Sequence, residues 1–228
     1  ISGMKARCYM SSERYSRQAD IVPRDRILDC KATVIGVGAI GRQVAIQLTA
    51  IGVPVLQLID FDTVEISNLA SQGFMHKDLK KPKVDATAEF CREINYDLQV
   101  EVVLDRFKRT TPVGNCVFLC VDKIDARKHI WDAVKDKVNF LVDGRMSAEV
   151  LRVITACDEP SREHYPQTLF TAQEAHIGPC TAKTTIYCAN IAAGFMLAQF
   201  TKYLRLLPVD PDIQINLLAS EINVGDVS

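Results

Sequence analysis

Three glycines, a lone acid at the end of an apolar run and a lysine behind a proline are the residues in this chain that could do chemistry. Gly36, Gly38 and Gly41 stand in "ATVIGVGAIGRQVA" (32–45), after an apolar run and at the start of a helical pattern. Glycines permit a tight turn and let backbone N–H groups approach a phosphate at the positive end of a helix. A strand before the turn and a helix after it turn a weak motif into a nucleotide-site candidate. Asp60 ends the next apolar run, where an acid can hydrogen-bond both hydroxyls of a ribose. So far these residues would suit a dehydrogenase that binds NAD.

The residues after Asp60 argue for a different nucleotide. "IDFDTVEISNLASQGF" (59–74) is densely polar, and "KKPKVDA" follows it. Hydride transfer has no evident use for Asn68, Gln72 and a lysine at a helix start, whereas a triphosphate does. Lys83 would add a point charge to the field of a helix N-terminus. Asp62, the second acid after the strand, belongs to the same candidate site. Asp122 ends the apolar run "VFLCVD", and a carboxylate there can hold Mg²⁺ through oxygen. Ligands of open α/β sheets bind along this carboxyl edge.

The elements that must position these residues are legible from periodicity. "CKATVIGV", "PVLQLIDFD", "LQVEVVL", "NCVFLCVD", "NFLVDGR" and "EVLRVITAC" read as strands. Residues 39–50, 81–95 and 124–137 read as helices between them. Alternation of apolar strands and helices predicts a Rossmann-like, doubly wound, mostly parallel α/β sheet with helices on both faces. Residues 158–182 are polar and rich in turn formers, so an irregular, mobile segment is expected there. A long, mostly apolar helix is expected over about 184–204. The tail "DIQINLLASEI" could add a last strand.

Bulk composition narrows the classes. The 228 residues suit one domain, with 27 Lys and Arg against 28 Asp and Glu and a net charge of −1. Neither a nucleic-acid footprint nor a membrane-surface patch is implied. The three residues ahead of Met4 read as a tag scar, leaving 1–13 as an N-terminal tail. The apolar run near 191–200 is about half of what a membrane span needs, so a cytoplasmic protein is expected. The eight cysteines include no C-x-x-C, so no zinc is expected, and buried reduced thiols are the plain reading.

Taken in order, "RYSRQ" (14–18), "GVGAIG" (36–41), "DFDTVEISNLASQ" (60–72), "KPKV" (81–84) and "CVD" (120–122) resemble the ThiF/MoeB/ubiquitin-activating superfamily. The resemblance covers roughly residues 14–145 and the long helix. It implies an enzyme that uses Mg·ATP to adenylate the C-terminal carboxylate of a ubiquitin-like or sulfur-carrier protein. It places Asp60 on the ribose, the glycines, Asn68, Gln72 and Lys83 on the phosphates, and Asp122 on the metal side. It makes Arg17 a residue donated to the neighbouring subunit's ATP, which implies a dimer, with two composite sites if it is a homodimer. One position departs. Where the superfamily usually reads Asn-Leu-x-Arg-Gln, this chain has Ser71, which supplies neither charge nor a bidentate fork. Arg145, after the strand end in "LVDGRMS", is the candidate substitute, with a surface salt bridge as the plainer alternative.

Cys180 in "HIGPCTAKTT" lies shortly before the long helix, with Lys183 close by. A helix N-terminus and a cation both lower a thiol pKa. Pro-Cys-Thr-x-Lys also resembles the catalytic-cysteine signature of ubiquitin-activating enzymes. The expected sequence of events is adenylation, thioester formation on Cys180 and transfer to a conjugating enzyme, with 158–182 as the crossover that carries the thiol. His176 could serve as a base, and Cys188 reads as core. The chain resembles the small prokaryotic members, being too short for a large added domain. The rivals are a sulfur-carrier activator without an essential thioester, a tRNA-modifying member, a non-catalytic half that only lends Arg17, and an NAD oxidoreductase.

Overall fold

The computed structural model describes residues 13–169 and 184–225. One eight-stranded sheet runs in the order β3-β2-β1-β4-β5-β6-β7-β8. The strands are β1 (Lys31–Ile35), β2 (Val55–Ile59), β3 (Gln99–Val103), β4 (Cys116–Leu119), β5 (Phe140–Ser147), β6 (Val150–Ala156), β7 (Asp212–Asn216) and β8 (Glu221–Gly225). The first five are parallel and the last three antiparallel. The helices are α1 (Arg24–Leu28), α2 (Ala39–Ile51), α3 (Ile66–Gln72), α4 (Lys83–Ile94), α5 (Ile124–Val134), α6 (Glu159–Gln167) and α7 (Ile186–Leu204). This is the doubly wound α/β sheet expected from the alternation.

Alternate residues of the buried strands point to opposite faces. Cys116 and Phe118 of β4 join Val34, Leu56, Phe140, Val44 and Leu48 and the α7 residues Met196 and Phe200. Val117 and Leu119 join Ile35, Ile59, Leu141, Ile130, Trp131 and Tyr165 on the other face. With helices on both sides neither set meets water, and that is why these strands read as unbroken apolar runs. Phe118, Phe140 and Phe200 stack with centroids 5.3–5.9 Å apart between the sheet and α7. Truncating any one would cost roughly 3–5 kcal/mol.

Two expectations need correction. Part of the segment expected to be irregular is α6. Asp158 accepts from the Ser161 amide at 3.0 Å as an N-cap, and Pro160 falls in the first turn, where its missing N–H costs nothing. Tyr165 anchors the helix against β5 and β6, so residues 159–167 are helical where irregular backbone was expected. The tail forms two strands instead of one: β7 and β8 are an antiparallel hairpin at the sheet edge. Cys188 is core, as read. Among the described residues no helix is long and apolar enough to cross a membrane.

Candidate nucleotide site

β1 lies between β2 and β4, so the strand order reverses there. That is the switch point at which open α/β sheets bind ligands. The turn after β1 is held from both sides. The Gly36 N–H donates to the Ile59 carbonyl at 2.9 Å, and the Cys120 N–H donates to the Ile35 carbonyl at 2.8 Å. Gly36 has φ +89°, and a Cβ there would lie 2.7 Å from the Cys120 carbonyl oxygen. The position therefore requires glycine on both counts.

Asp60 closes the turn. Its Oδ2 accepts from the Val37 N–H at 2.6 Å and its Oδ1 from the Asp62 N–H at 2.8 Å. Each oxygen keeps a lone pair, and two adjacent hydroxyls such as those of a ribose can take them. The acid thus sets the shape of the glycine turn as well as offering a sugar contact.

Lys83 heads α4, as expected. Its Nζ is 3.0 Å from Asp62 Oδ2, and its backbone N–H donates to the Asp62 carbonyl at 2.9 Å. Asn68 lies at the third position of α3, where Oδ1 accepts from the Glu65 N–H at 3.0 Å and closes a capping box. Asp62, Asn68 and Lys83 line a cleft of about 420 Å³ with Phe61, Thr63 and Glu65. Gln72, at the end of α3, turns its side chain toward Gly38, from which a Cβ would lie 4.0 Å from Oε1. That oxygen is buried without a hydrogen-bond partner. A buried, unpartnered amide oxygen beside a glycine turn fits a site built for a polar ligand.

Asp122 is exposed just past the end of β4. Among the described residues no three His, Cys, Asp or Glu side chains cluster as a metal cage. A single carboxylate still fits Mg²⁺, which is commonly held by one or two carboxylates, water and substrate phosphates.

Arg17 and Arg145 lie away from the cleft. Arg17 falls in a 3-10 turn, Ser16–Gln18, tied to the far end of α2 by Gln18 Nε2 donating to the Ile51 carbonyl at 2.9 Å. The glycine turn caps the other end of α2, and 13 residues of helix separate the two by about 20 Å. Arg145 is on the carboxyl edge, but its donors are committed. Nε bonds Asp143 Oδ2 at 2.8 Å, Nη1 the Thr168 carbonyl at 2.8 Å and Nη2 the Thr168 hydroxyl at 3.0 Å. This is the salt-bridge alternative, in partly buried form. The Ser71 hydroxyl turns back on its own helix and donates to the Ser67 carbonyl at 2.8 Å.

Two buried arginines shape the site without having been singled out in the sequence. Arg127 bonds Asp143, the Val121 carbonyl next to Asp122 and, at 3.4 Å, the Gly144 carbonyl. Arg42 stacks between Phe74 and Phe90 and donates from Nε and Nη2 to the Gly73 carbonyl, at 3.2 and 3.0 Å. It pins the chain one residue past Gln72, and burial lowers its guanidinium pKa. The only trace in the sequence was a charged residue on a helix face that otherwise reads as apolar.

Three of the described cysteines, Cys91, Cys120 and Cys157, make poor nucleophiles. Burial pushes the Cys91 and Cys120 thiols up, and pushes Cys157 to about 11. Cys180, Lys183 and His176 lie outside the described residues.

A glycine turn at a switch point, an acid closing it and a lysine-bearing cleft on the same edge define a nucleotide-binding α/β protein. The chain belongs to the ThiF family, whose model matches residues 15–218. It is 31% identical over 128 residues to the Sulfur carrier protein ThiS adenylyltransferase of Escherichia coli, covering 51% of each chain. It is 27% identical over 219 residues to Ubiquitin-like modifier-activating enzyme 5 of Bombyx mori, covering 79% of this chain and 52% of that one. The chain thus spans about half the length of these curated relatives. Among solved structures, E. coli MccB with MccA-N7isoASN superposes with TM-score 0.77 at 18% identity, over 94% of this chain and 72% of that one. A crystal structure of PaaA superposes with TM-score 0.76 at 20% identity, over 96% and 84%. These two share the fold.

Proposed function

We propose that this chain uses Mg·ATP to adenylate the C-terminal carboxylate of a ubiquitin-like or sulfur-carrier protein. The observation that carries the reading is the convergence of the Asp60-closed glycine turn, the unpartnered Gln72 Oε1 and the Lys83 cleft on one sheet edge, in a chain of the ThiF family. In the reaction a carboxylate oxygen attacks the α-phosphorus, the bond to pyrophosphate breaks, and an acyl adenylate forms. Charge grows on the departing pyrophosphate. Lys83, released from Asp62, and the N–H groups of the turn are the groups of this chain suited to receive it. Asp122 would hold Mg²⁺, which supplies charge neutralisation when bound.

The finer reading adds capture of the acyl group on the Cys180 thiol, with AMP leaving, before transfer to a conjugating enzyme. Expected results are pyrophosphate exchange dependent on ATP, Mg²⁺ and a cognate small protein, and a thiol-sensitive protein adduct absent from Cys180→Ala. Exchange without an adduct would retain adenylation and move the chain to the sulfur-carrier reading. Absence of exchange with every candidate would sink the enzymatic reading and favour a partner half.

The position of Arg17, a helix length from its own turn, supports action on a second subunit. Arg17→Ala and Lys83→Ala should each lose most exchange activity. An equimolar mixture should recover about one quarter of the wild-type rate, because half the dimers would be mixed and each would hold one intact site. No recovery in subunits shown to exchange would refute the arrangement.

A further inference from the structure

The cleft beside the glycine turn is poor in positive charge. Its lining holds two carboxylates, Asp62 and Glu65, and one cation, Lys83, already paired with Asp62. A nucleoside triphosphate with about four negative charges would enter such a cleft against a net negative field. The neighbouring arginines do not correct this. Arg42 and Arg127 are buried on carbonyls and Asp143, and Arg145 is bound to Asp143 and Thr168.

Arg106 differs from all of these. It follows β3, on the same carboxyl edge and next to β2. Its guanidinium lies over the ring of Phe61 at 3.8 Å from the centroid. Phe61 is itself a wall of the cleft and 46% exposed. Among the described residues Arg106 is in no ion pair with a carboxylate; the adjacent Asp105 carboxylate pairs with Lys108 and accepts the Arg106 backbone N–H. A guanidinium stacked on an exposed ring gives up little when it swings away, whereas a charge-assisted bond to phosphate returns more, about 10-fold or more in affinity. The exchange favours leaving the ring once a polyphosphate is present.

We infer that Arg106 is a second phosphate-binding cation of this cleft, beside Lys83, parked on Phe61 until the nucleotide arrives. The inference rests on the nucleotide reading above and extends it to a residue that no motif marks. Phe61 keeps the guanidinium flat and close to the cleft, so less freedom is lost when it turns to the ligand. Phosphate contact also distinguishes Arg106 from a residue that grips the base.

The test is titration of the full chain with a fluorescent ATP analogue and with adenosine. Arg106→Ala should weaken the ATP analogue about 10-fold or more, the low end of a charge-assisted bond, and leave adenosine affinity unchanged. Arg106→Lys should recover part of the loss, and Ser71→Arg in the Arg106→Ala background should recover part as well. Lys123→Ala, which removes the exposed cation beside Asp122, should have a smaller effect. Equal losses for ATP and adenosine would overturn the inference, because Arg106 would then act on the base. A greater loss in Lys123→Ala would overturn it by assigning the cation elsewhere. If the wild-type chain binds neither ligand, the nucleotide reading itself fails, an outcome distinct from both. Arg106 is exposed, so the variants should melt with the wild type, and circular dichroism can establish this.

Discussion

Asp143→Ala should lower unfolding stability by roughly 3–5 kcal/mol, the cost of stranding buried charge. Asp143 is 0% exposed. Its Oδ1 pairs with Arg127, and its Oδ2 takes Arg145 Nε at 2.8 Å and the Tyr165 hydroxyl at 3.0 Å. Burial, reinforced by the Asp143 charge, pushes the Tyr165 hydroxyl pKa up, so the phenol stays a neutral donor. Removing the carboxylate takes one of three partners from each of two guanidinium groups and the acceptor from the buried phenol. Three elements would loosen together: β5, the loop before α5, and α6 through Tyr165 and Thr168. Asp143→Asn keeps the shape and one acceptor, so a smaller loss is expected. Urea unfolding of the two variants checks the order. A loss below about 1 kcal/mol in Asp143→Ala would mean that the pairs only offset their own desolvation. Because Arg127 also holds the Val121 carbonyl, the Mg²⁺ requirement for pyrophosphate exchange should rise in Asp143→Asn.

Gly41→Ala should be the most damaging of the glycine substitutions, and its sign is diagnostic. In an ordinary helix, glycine to alanine gains up to about 1 kcal/mol. Gly41 is helical, yet a Cβ there would fall 1.8 Å from the Gly36 carbonyl oxygen and 3.2 Å from the Cys120 Cβ. The obstacle is backbone that is itself bonded across β1, β2 and β4, so it cannot give way cheaply. Either α2 moves off the sheet or the turn opens. A loss of about 3 kcal/mol is expected, at the upper end for an overpacked site. The ATP analogue should weaken by about 100-fold or more, as two charge-assisted N–H contacts are misaligned. A Gly41→Ala protein as stable as the wild type, with unchanged ATP affinity, would refute this account of the third glycine.

The residues legible in advance share one property: each depends on local structure alone. Gly36, Gly38 and Gly41 follow a strand and open a helix, and Asp60 ends the next strand, so their positions follow from periodicity along a short stretch. Lys83 was readable because proline before it marks a helix start. The residues missed or misplaced depend on what the sheet brings together. Arg145 presents a cation at a strand end, but only the packing of α6 against β5 reveals that Thr168 and Asp143 consume its donors. α6 was obscured by its prolines, Pro160 and Pro166, and is held by the Asp158 cap and the burial of Tyr165. Arg42 and Arg127 were not singled out from the sequence, because only the fold encloses them, in a ring sandwich and beside a buried carboxylate.

By itself the sequence determined the parallel sheet, the glycine turn and the acid that closes it. Those features follow from alternation and from the few conformations open to glycine and proline. Only the tertiary structure decided which of the cations near the site are committed to partners. Hydrogen bonds and ion pairs between residues distant along the chain depend on strand order and register, and a linear pattern does not encode their distances. Arg145 and Arg106 illustrate the point: both are arginines toward the carboxyl ends of strands, Arg145 within β5 and Arg106 just after β3. One is bound to Asp143 and the end of α6, and the other lies on Phe61 with its charge unspent.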